Sequence, residues 1–249
     1  MTTVRYGILG PVTLWRDNCE VHPAKQRSRA VLARLLLGDG QWVRMETLID
    51  TVYHDRTPAR SARTQVHKAV MELRALGAGV EYRDGSYRVP TSRQTLDSQE
   101  FTSLVELARQ GPADKSVALT KKALGLVRGP ILDGMEGHDF QLAALELQER
   151  HASAVEIFCD AEISMGQHFD AIIELRRFLA GHPYHERLVG KLMFALHLAG
   201  RSGEALAAFS YLCDKLAELG ALPAPDLHQL NELILRHDPC LTPAFLNSL

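Results

Sequence analysis

The alternation of apolar and polar positions is sharpest between Pro58 and Leu76. Wound as a helix, Ala62, Val66, Ala69, Val70, Leu73 and Leu76 share one stripe at spacings of three and four. Arg60, Arg63, Thr64, His67, Lys68, Met71 and Arg74 share the opposite face. Two helices are predicted before it. Ala30, Val31, Ala33, Leu35, Leu36 and Leu37 form a dense apolar patch after Pro23, stopped by Gly38-Asp39-Gly40. The next covers Met45 to Tyr53 and buries Leu48, Ile49 and Val52. Apolar runs at 4–9 and 12–15, split by Gly10-Pro11, predict a small antiparallel sheet ahead of the helices. Behind them, two β-prone runs, 80–83 and 86–89, flank Asp84-Gly85, a two-residue hairpin signal.

Beyond a polar stretch at 92–97, read as a linker, the pattern is helical with almost no strand signal. Asp97 is expected to cap a helix carrying Phe101, Leu104, Val105 and Ala108. Pro112 opens another through Val127, and a long periodic run follows from Asp139 to Met165. Gly166-x-x-x-Asp170-Ala171-Ile172 then recurs as Gly200-x-x-x-Glu204-Ala205-Leu206, an offset of 34 residues. That is the tetratricopeptide period, in which small residues let paired helices approach and apolar ones bury against the next unit.

Charge divides the chain in the same place. Residues 1–95 hold 15 Lys and Arg against 9 Asp and Glu, and residues 96–249 hold 13 against 21. A basic half attracts polyanions, whereas an acidic half does not sit on DNA. The expected organisation is therefore two domains, at 1–91 and 97–249. The fold class is mostly α, with a small N-terminal antiparallel sheet and a wing: a winged helix-turn-helix followed by an all-α tetratricopeptide-like domain.

Several classes lose support. No apolar run approaches the roughly 18 residues of a membrane span, and Met1-Thr2-Thr3-Val4-Arg5 shows no signal peptide. Cys19, Cys159, Cys213 and Cys240 are far apart and read as reduced, mostly buried thiols in a reducing cytoplasm. An enzyme is not expected. The chain has no H-E-x-x-H, no phosphate-binding G-x-x-x-x-G-K-[ST] loop and no G-x-S-x-G elbow. His182 and His185 lack sequence-adjacent partners for a metal, so neither a metal nor a cofactor is expected. Trp15 and Trp42 read as packing anchors.

A cationic helix face followed by a tight hairpin is what a winged helix presents to DNA. Arg63, Gln65 and Lys68 are the leading candidates for base-edge contacts, with His67 and Arg74 next. Arg grips guanine bidentately and Gln adenine, although Gln65 is angled toward the flank. Lys25, Arg27, Arg44, Arg83 and Arg88 are the candidates for phosphates.

Several motifs resemble one family in order and spacing. They are Leu9-Gly10-Pro11-Val12, Lys25-Gln26-Arg27, Leu48-Ile49-Asp50 and Glu72-Leu73-Arg74 in the first half. In the second half they are Leu126-Val127-Arg128-Gly129-Pro130, His182-Pro183-Tyr184-His185-Glu186-Arg187-Leu188 and Gly200-Arg201-x-x-Glu204-Ala205-Leu206. Together they resemble the Streptomyces antibiotic regulatory proteins, in which a response-regulator-type winged helix precedes a bacterial transcriptional activator domain. Two departures are a Tyr53 where the family has a Trp nearby, and Ser86-Tyr87-Arg88-Val89 where the wing tends to end Gly-Tyr-Arg-Leu.

The resemblance implies an activator that binds direct repeats in double-stranded promoter DNA as a head-to-tail homodimer. It also implies recruitment of RNA polymerase holoenzyme, including its sigma factor, and control of a secondary-metabolite (antibiotic) gene cluster. The competing expectation is a tetratricopeptide-like helical adaptor that binds a protein partner and has only non-specific DNA affinity.

Overall fold

The computed structural model describes residues 4–53 and 60–241. Pro58 and Ala59, at the start of the patterned run, lie outside the described residues. Two compact units share the chain. Described residues up to Leu104, together with Lys122–Arg150, form the first; Val105–Lys121 and His151 onward form the second. These units cut across the expected boundary at the 92–97 linker.

The first unit opens with β1 (Val4–Gly7) and β2 (Thr13–Arg16), paired antiparallel as expected. A third strand, β3 (Cys19–Val21), extends that sheet. It turns back through Asp17 and Asn18, both left-handed at φ 51° and 65°, the conformation a two-residue hairpin loop requires. Then come α1 (Gln26–Leu37), β4 (Val43–Arg44), α2 (Met45–Tyr53), α3 (Ala62–Ala75), β5 (Glu81–Arg83) and β6 (Ser86–Arg88). The three helices pack on one another. At the end of α1, Gly38 is right-handed, while Asp39 and Gly40 carry the positive φ that stops the helix. In α2 the fully buried positions are Met45, Leu48 and Thr51; Ile49 and Val52 are only half-buried, so the core-facing stripe is rotated from the expected one.

The stretch at 92–97 is not a free linker. Thr95 carbonyl accepts the Tyr6 N–H at 2.6 Å, and Leu96 bridges Tyr6 in parallel. Asp97 is the first residue of α4 (Asp97–Gln110) rather than a cap preceding it. Its carboxylate accepts the backbone N–H groups of Ile8 at 2.9 Å and Leu9 at 3.0 Å, and pairs with Arg128 at 3.2 Å. The Arg128 guanidinium lies 4.7 Å over the Trp15 ring. Gly7 is required by this close approach, because a Cβ there would collide with Arg128, Trp15 and Asp97. Burial lifts the Asp97 carboxyl above its ordinary range, against the opposing pull of the two N–H groups and Arg128.

The helices α5 (Ala113–Leu124) and α6 (His138–Ser164) each contribute residues to both units. The second unit continues through α7 (His168–Gly181), α8 (Glu186–Leu198), α9 (Ser202–Ala217) and α10 (Pro225–Leu235). The repeat read from sequence is structural. Gly166 and Gly200 are left-handed at φ 78° and 74°, in the turns before α7 and α9. Ala171 and Ala205, one in each following helix, are fully buried. Helix α8 is the centre of this unit, buried from Leu188 to Leu196 and packed on α7, α9 and α10. Its buried Lys191 pairs with Asp160 at 2.6 Å. Of the cysteines, Cys159 is buried and Cys213 half-buried, whereas Cys19 and Cys240 are exposed, contrary to the expectation of mostly buried thiols.

Candidate nucleic-acid interface

Helix α3 separates its faces as the pattern predicts except at its ends, where Arg60 precedes the helix and Leu76 follows it, only half-buried. Ala62, Val66, Ala69, Val70 and Leu73 are buried against the first unit's core. Arg63, Thr64, His67, Lys68, Met71 and Arg74 are exposed, and Gln65 is half-buried on the flank. The apolar stripe fixes the helix; the opposite face is left for solvent or a ligand.

The wing follows within the same unit. Asp84 and Gly85 are both left-handed, at φ 46° and 77°, as a two-residue hairpin needs. The register places Arg83 opposite Ser86, Tyr82 opposite Tyr87 and Glu81 opposite Arg88. Strand β4 pairs on the other edge of β6, Val43 with Tyr87 and Arg44 with Ser86. Two hydrogen bonds tie the wing to α3 and β1. Arg74 Nε donates to the Val80 carbonyl at 2.9 Å, and Gly79 N–H donates to the Tyr6 hydroxyl at 3.1 Å.

The base-contact candidates lie together on α3 but differ in their commitments. Arg63 is paired with Glu46 of α2 at 2.5 Å. Gln65 accepts from Arg27 Nη1 through Oε1 at 2.7 Å, the same oxygen a bidentate grip on adenine would use. His67 Nδ1 lies 2.9 Å from the Tyr87 hydroxyl. Lys68 has no hydrogen-bond or ion-pair partner among the described residues.

The phosphate candidates surround α3 in the first unit. Lys25, 77% exposed, reaches Glu72 at 3.1 Å. Arg44 is exposed on β4, its side chain without a hydrogen-bond or ion-pair partner among the described residues. Arg83 pairs loosely with Asp84 at 3.5 Å. Arg88 pairs with Glu81 at 2.7 Å and lies 4.5 Å over the Trp42 ring, which anchors the base of the wing.

Three features of this surface carry no role assigned from sequence, although the helical pattern places Met71 on the outward face. Glu46 and Glu72 act as counter-charges to Arg63 and Lys25, a tertiary relationship without a local signal. Met71, 63% exposed, is a large apolar side chain in the middle of a polar stripe. The Tyr82–Tyr87 pair was available from the hairpin register, since a two-residue loop at Asp84-Gly85 dictates it. Among the described residues no group of three or more His, Cys, Asp or Glu side chains is placed to hold a metal ion. No helix among them is long and apolar enough to cross a membrane.

The chain has relatives among known proteins. The family model described as bacterial transcriptional activator domain matches residues 96–235. The regulatory protein AfsR of Streptomyces coelicolor is 34% identical over 96% of this chain, which spans only 25% of AfsR. The regulatory protein DnrI of Streptomyces peucetius is 30% identical, with 95% of this chain and 93% of DnrI covered. Among solved structures, Mycobacterium tuberculosis EmbR in complex with a low affinity phosphopeptide superimposes with a TM-score of 0.82 at 30% identity. That match covers 96% of this chain and 66% of the EmbR chain.

Proposed function

Because the chain belongs to the Streptomyces antibiotic regulatory protein family of transcriptional activators, we propose that it is a sequence-specific DNA-binding activator of promoters. The observation that carries the reading is α3. Its buried stripe locks it into the first unit while Arg63, His67, Lys68 and Arg74 stand outward together, with the wing beside them. In this reading Arg63, Gln65 and Lys68, then His67 and Arg74, contact base edges. Lys25, Arg27, Arg44, Arg83 and Arg88 grip phosphates and set the register.

The finer assignments follow from the family. The protein binds direct repeats as a head-to-tail homodimer, so two different surfaces of the chain meet. It recruits RNA polymerase holoenzyme, sigma factor included, and controls a secondary-metabolite (antibiotic) gene cluster, working in the cytoplasm on the nucleoid. The winged helix (1–91) and the activator domain (97–249) divide these tasks. Exposed Phe169 and Ile173, four apart on α7, support a protein-contacting role for the second unit.

The same apolar pair would serve a helical adaptor that does not read DNA. Selection of bound duplexes from a random pool separates the two readings. An activator enriches a repeated motif and, given polymerase, raises transcription from a promoter bearing it. An adaptor enriches nothing, and its DNA binding is weak and lost with salt.

A further inference from the structure

The His67–Tyr87 contact joins an outward residue of α3 to an inward one of the wing. Tyr87 is 3% exposed and His67 is exposed. Their rings meet edge to face with centroids 6.2 Å apart. Tyr82 packs on Tyr87 at a centroid distance of 5.1 Å, and Val43 pairs with it from β4. The phenol ring is therefore packed by His67 and Tyr82 while its backbone is fixed in the sheet, with its oxygen 2.9 Å from Nδ1 of His67. Burial, and then Tyr82, raise its pKa against the opposing charge of Arg74, so the phenol keeps its proton at neutral pH.

That proton needs an acceptor, and His67 Nδ1 is the one it has among the described residues. If Nδ1 carried its own hydrogen, the imidazole would donate to the phenol oxygen. The phenol hydrogen of this buried side chain would then have no acceptor among the described residues, an arrangement buried polar groups avoid. With the phenol donating to a bare Nδ1, both groups are satisfied and the imidazole hydrogen sits on Nε2. The ring nitrogen left for an external partner is then a donor.

We infer that Tyr87 is a positioning residue for base recognition: it holds His67 as the Nε2–H tautomer, so that His67 offers a donor to the major groove and reads a purine N7. The inference rests on the proposed DNA-reading role of α3. An imidazole N–H suits the acceptors of the major-groove edge, which are N7 of either purine, O6 of guanine and O4 of thymine, whereas cytosine presents an amino donor that faces it unproductively; N7 is the acceptor that both purines share. Tyr87 does not touch the base; it sets which kind of base edge His67 accepts.

The test combines two readouts on the full chain. In the free protein, long-range proton–nitrogen correlation spectra of nitrogen-15-labelled histidine at about pH 8.5, where imidazole is neutral, should show His67 wholly as the Nε2–H form. Tyr87→Phe should release a mixture of tautomers. On DNA, motifs selected by wild type, Tyr87→Phe and His67→Ala are compared. One purine in the wild-type motif should tolerate 7-deaza replacement poorly, with binding falling several-fold to about tenfold. That sensitivity should vanish in His67→Ala, and the preference at that position alone should relax in Tyr87→Phe.

An Nδ1–H tautomer in wild type overturns the inference. So does a motif in which no 7-deaza replacement has a His67-dependent effect, and so does a Tyr87→Phe protein that keeps both the preference and the sensitivity. Failure of wild type to select any motif overturns the DNA reading itself, and this inference with it. The tautomer and 7-deaza measurements on wild type and His67→Ala decide the matter if Tyr87→Phe does not fold.

Discussion

The Asp97 carboxylate accepts the backbone N–H of Ile8 at 2.9 Å across 89 positions of chain. It also holds Leu9 N–H and Arg128, and it is 5% exposed. Asp97→Ala would leave the two backbone N–H groups without their acceptor and take the carboxylate from Arg128, which keeps only the Pro11 carbonyl and the Thr13 hydroxyl. Removing one partner of a buried pair costs about 3–5 kcal/mol, so the first unit should lose stability on that scale in denaturant titrations. Asp97→Asn should be milder. Burial already favours the uncharged carboxyl, and the amide oxygen can still accept one of the N–H groups.

The same contact bears on where the chain can be cut. A fragment ending at Thr95 lacks Asp97, buried Phe101 and Arg128, all of which belong to the first unit. It should unfold at markedly lower denaturant than the full chain, and its DNA binding should be correspondingly weak. A fragment 1–95 as stable as the full chain's first transition would contradict the role given to Asp97.

Salt dependence reports the phosphate contacts. If some 5 phosphates are neutralised per protomer, log K should fall against log salt with a slope of about −4 to −5. Arg88→Ala should flatten it by about 1 and weaken specific and random DNA alike. An unchanged slope would place the wing off the backbone. Glu46→Gln should act in the opposite direction. It frees Arg63 from a competing carboxylate and removes a negative charge beside the groove, so specific affinity should rise.

The second unit should be acid-sensitive. His151 is pushed down to about 4 from an ordinary 6.5, first by burial and then by His182. Phe178 sits among these rings, T-shaped to His151 and stacked on His182. A depressed histidine means the unfolded chain takes the proton first. The stabilising effect is complete above about pH 6.5 and is lost as pH falls toward 4, up to a loss of order 3 kcal/mol. Thermal midpoints of the full chain between these values should fall with acid, and His151→Leu should flatten that dependence.

Much of this was legible before the structure because it is local. The α3 stripe, the Asp84-Gly85 turn and the 34-residue repeat that begins at Gly166 and Gly200 follow from helical period and turn chemistry. Strand β3 carries no apolar alternation, being exposed or half-buried throughout, and β4 is two residues long, so neither had a pattern to read. The seam at Asp97 and the counter-charges Glu46 and Glu72 depend on residues brought together from distant parts of the chain. The base-reading candidates were visible as residue types on a face. Their pairing with Glu46, Arg27 and Tyr87 was not, because each partner comes from another element.

The most direct test sets the two faces of α3 against each other. Affinity for a selected site and for random DNA is measured for Arg63→Ala and Val66→Asp alongside the thermal midpoint. Arg63 is exposed and Val66 fully buried. Arg63→Ala should keep the midpoint, since an exposed ion pair such as that with Glu46 contributes about 0–1 kcal/mol. It should cost about 1–3 kcal/mol on the selected site and far less on random DNA. Val66→Asp buries an unpaired carboxylate among the helices of the first unit, a cost of several kcal/mol. It should abolish binding to both DNAs while the second unit keeps most of the helical circular dichroism. If Arg63→Ala unfolds the first unit, or leaves discrimination between the two DNAs intact while Val66→Asp stays folded and loses it, the outward face of α3 is not the one that reads DNA.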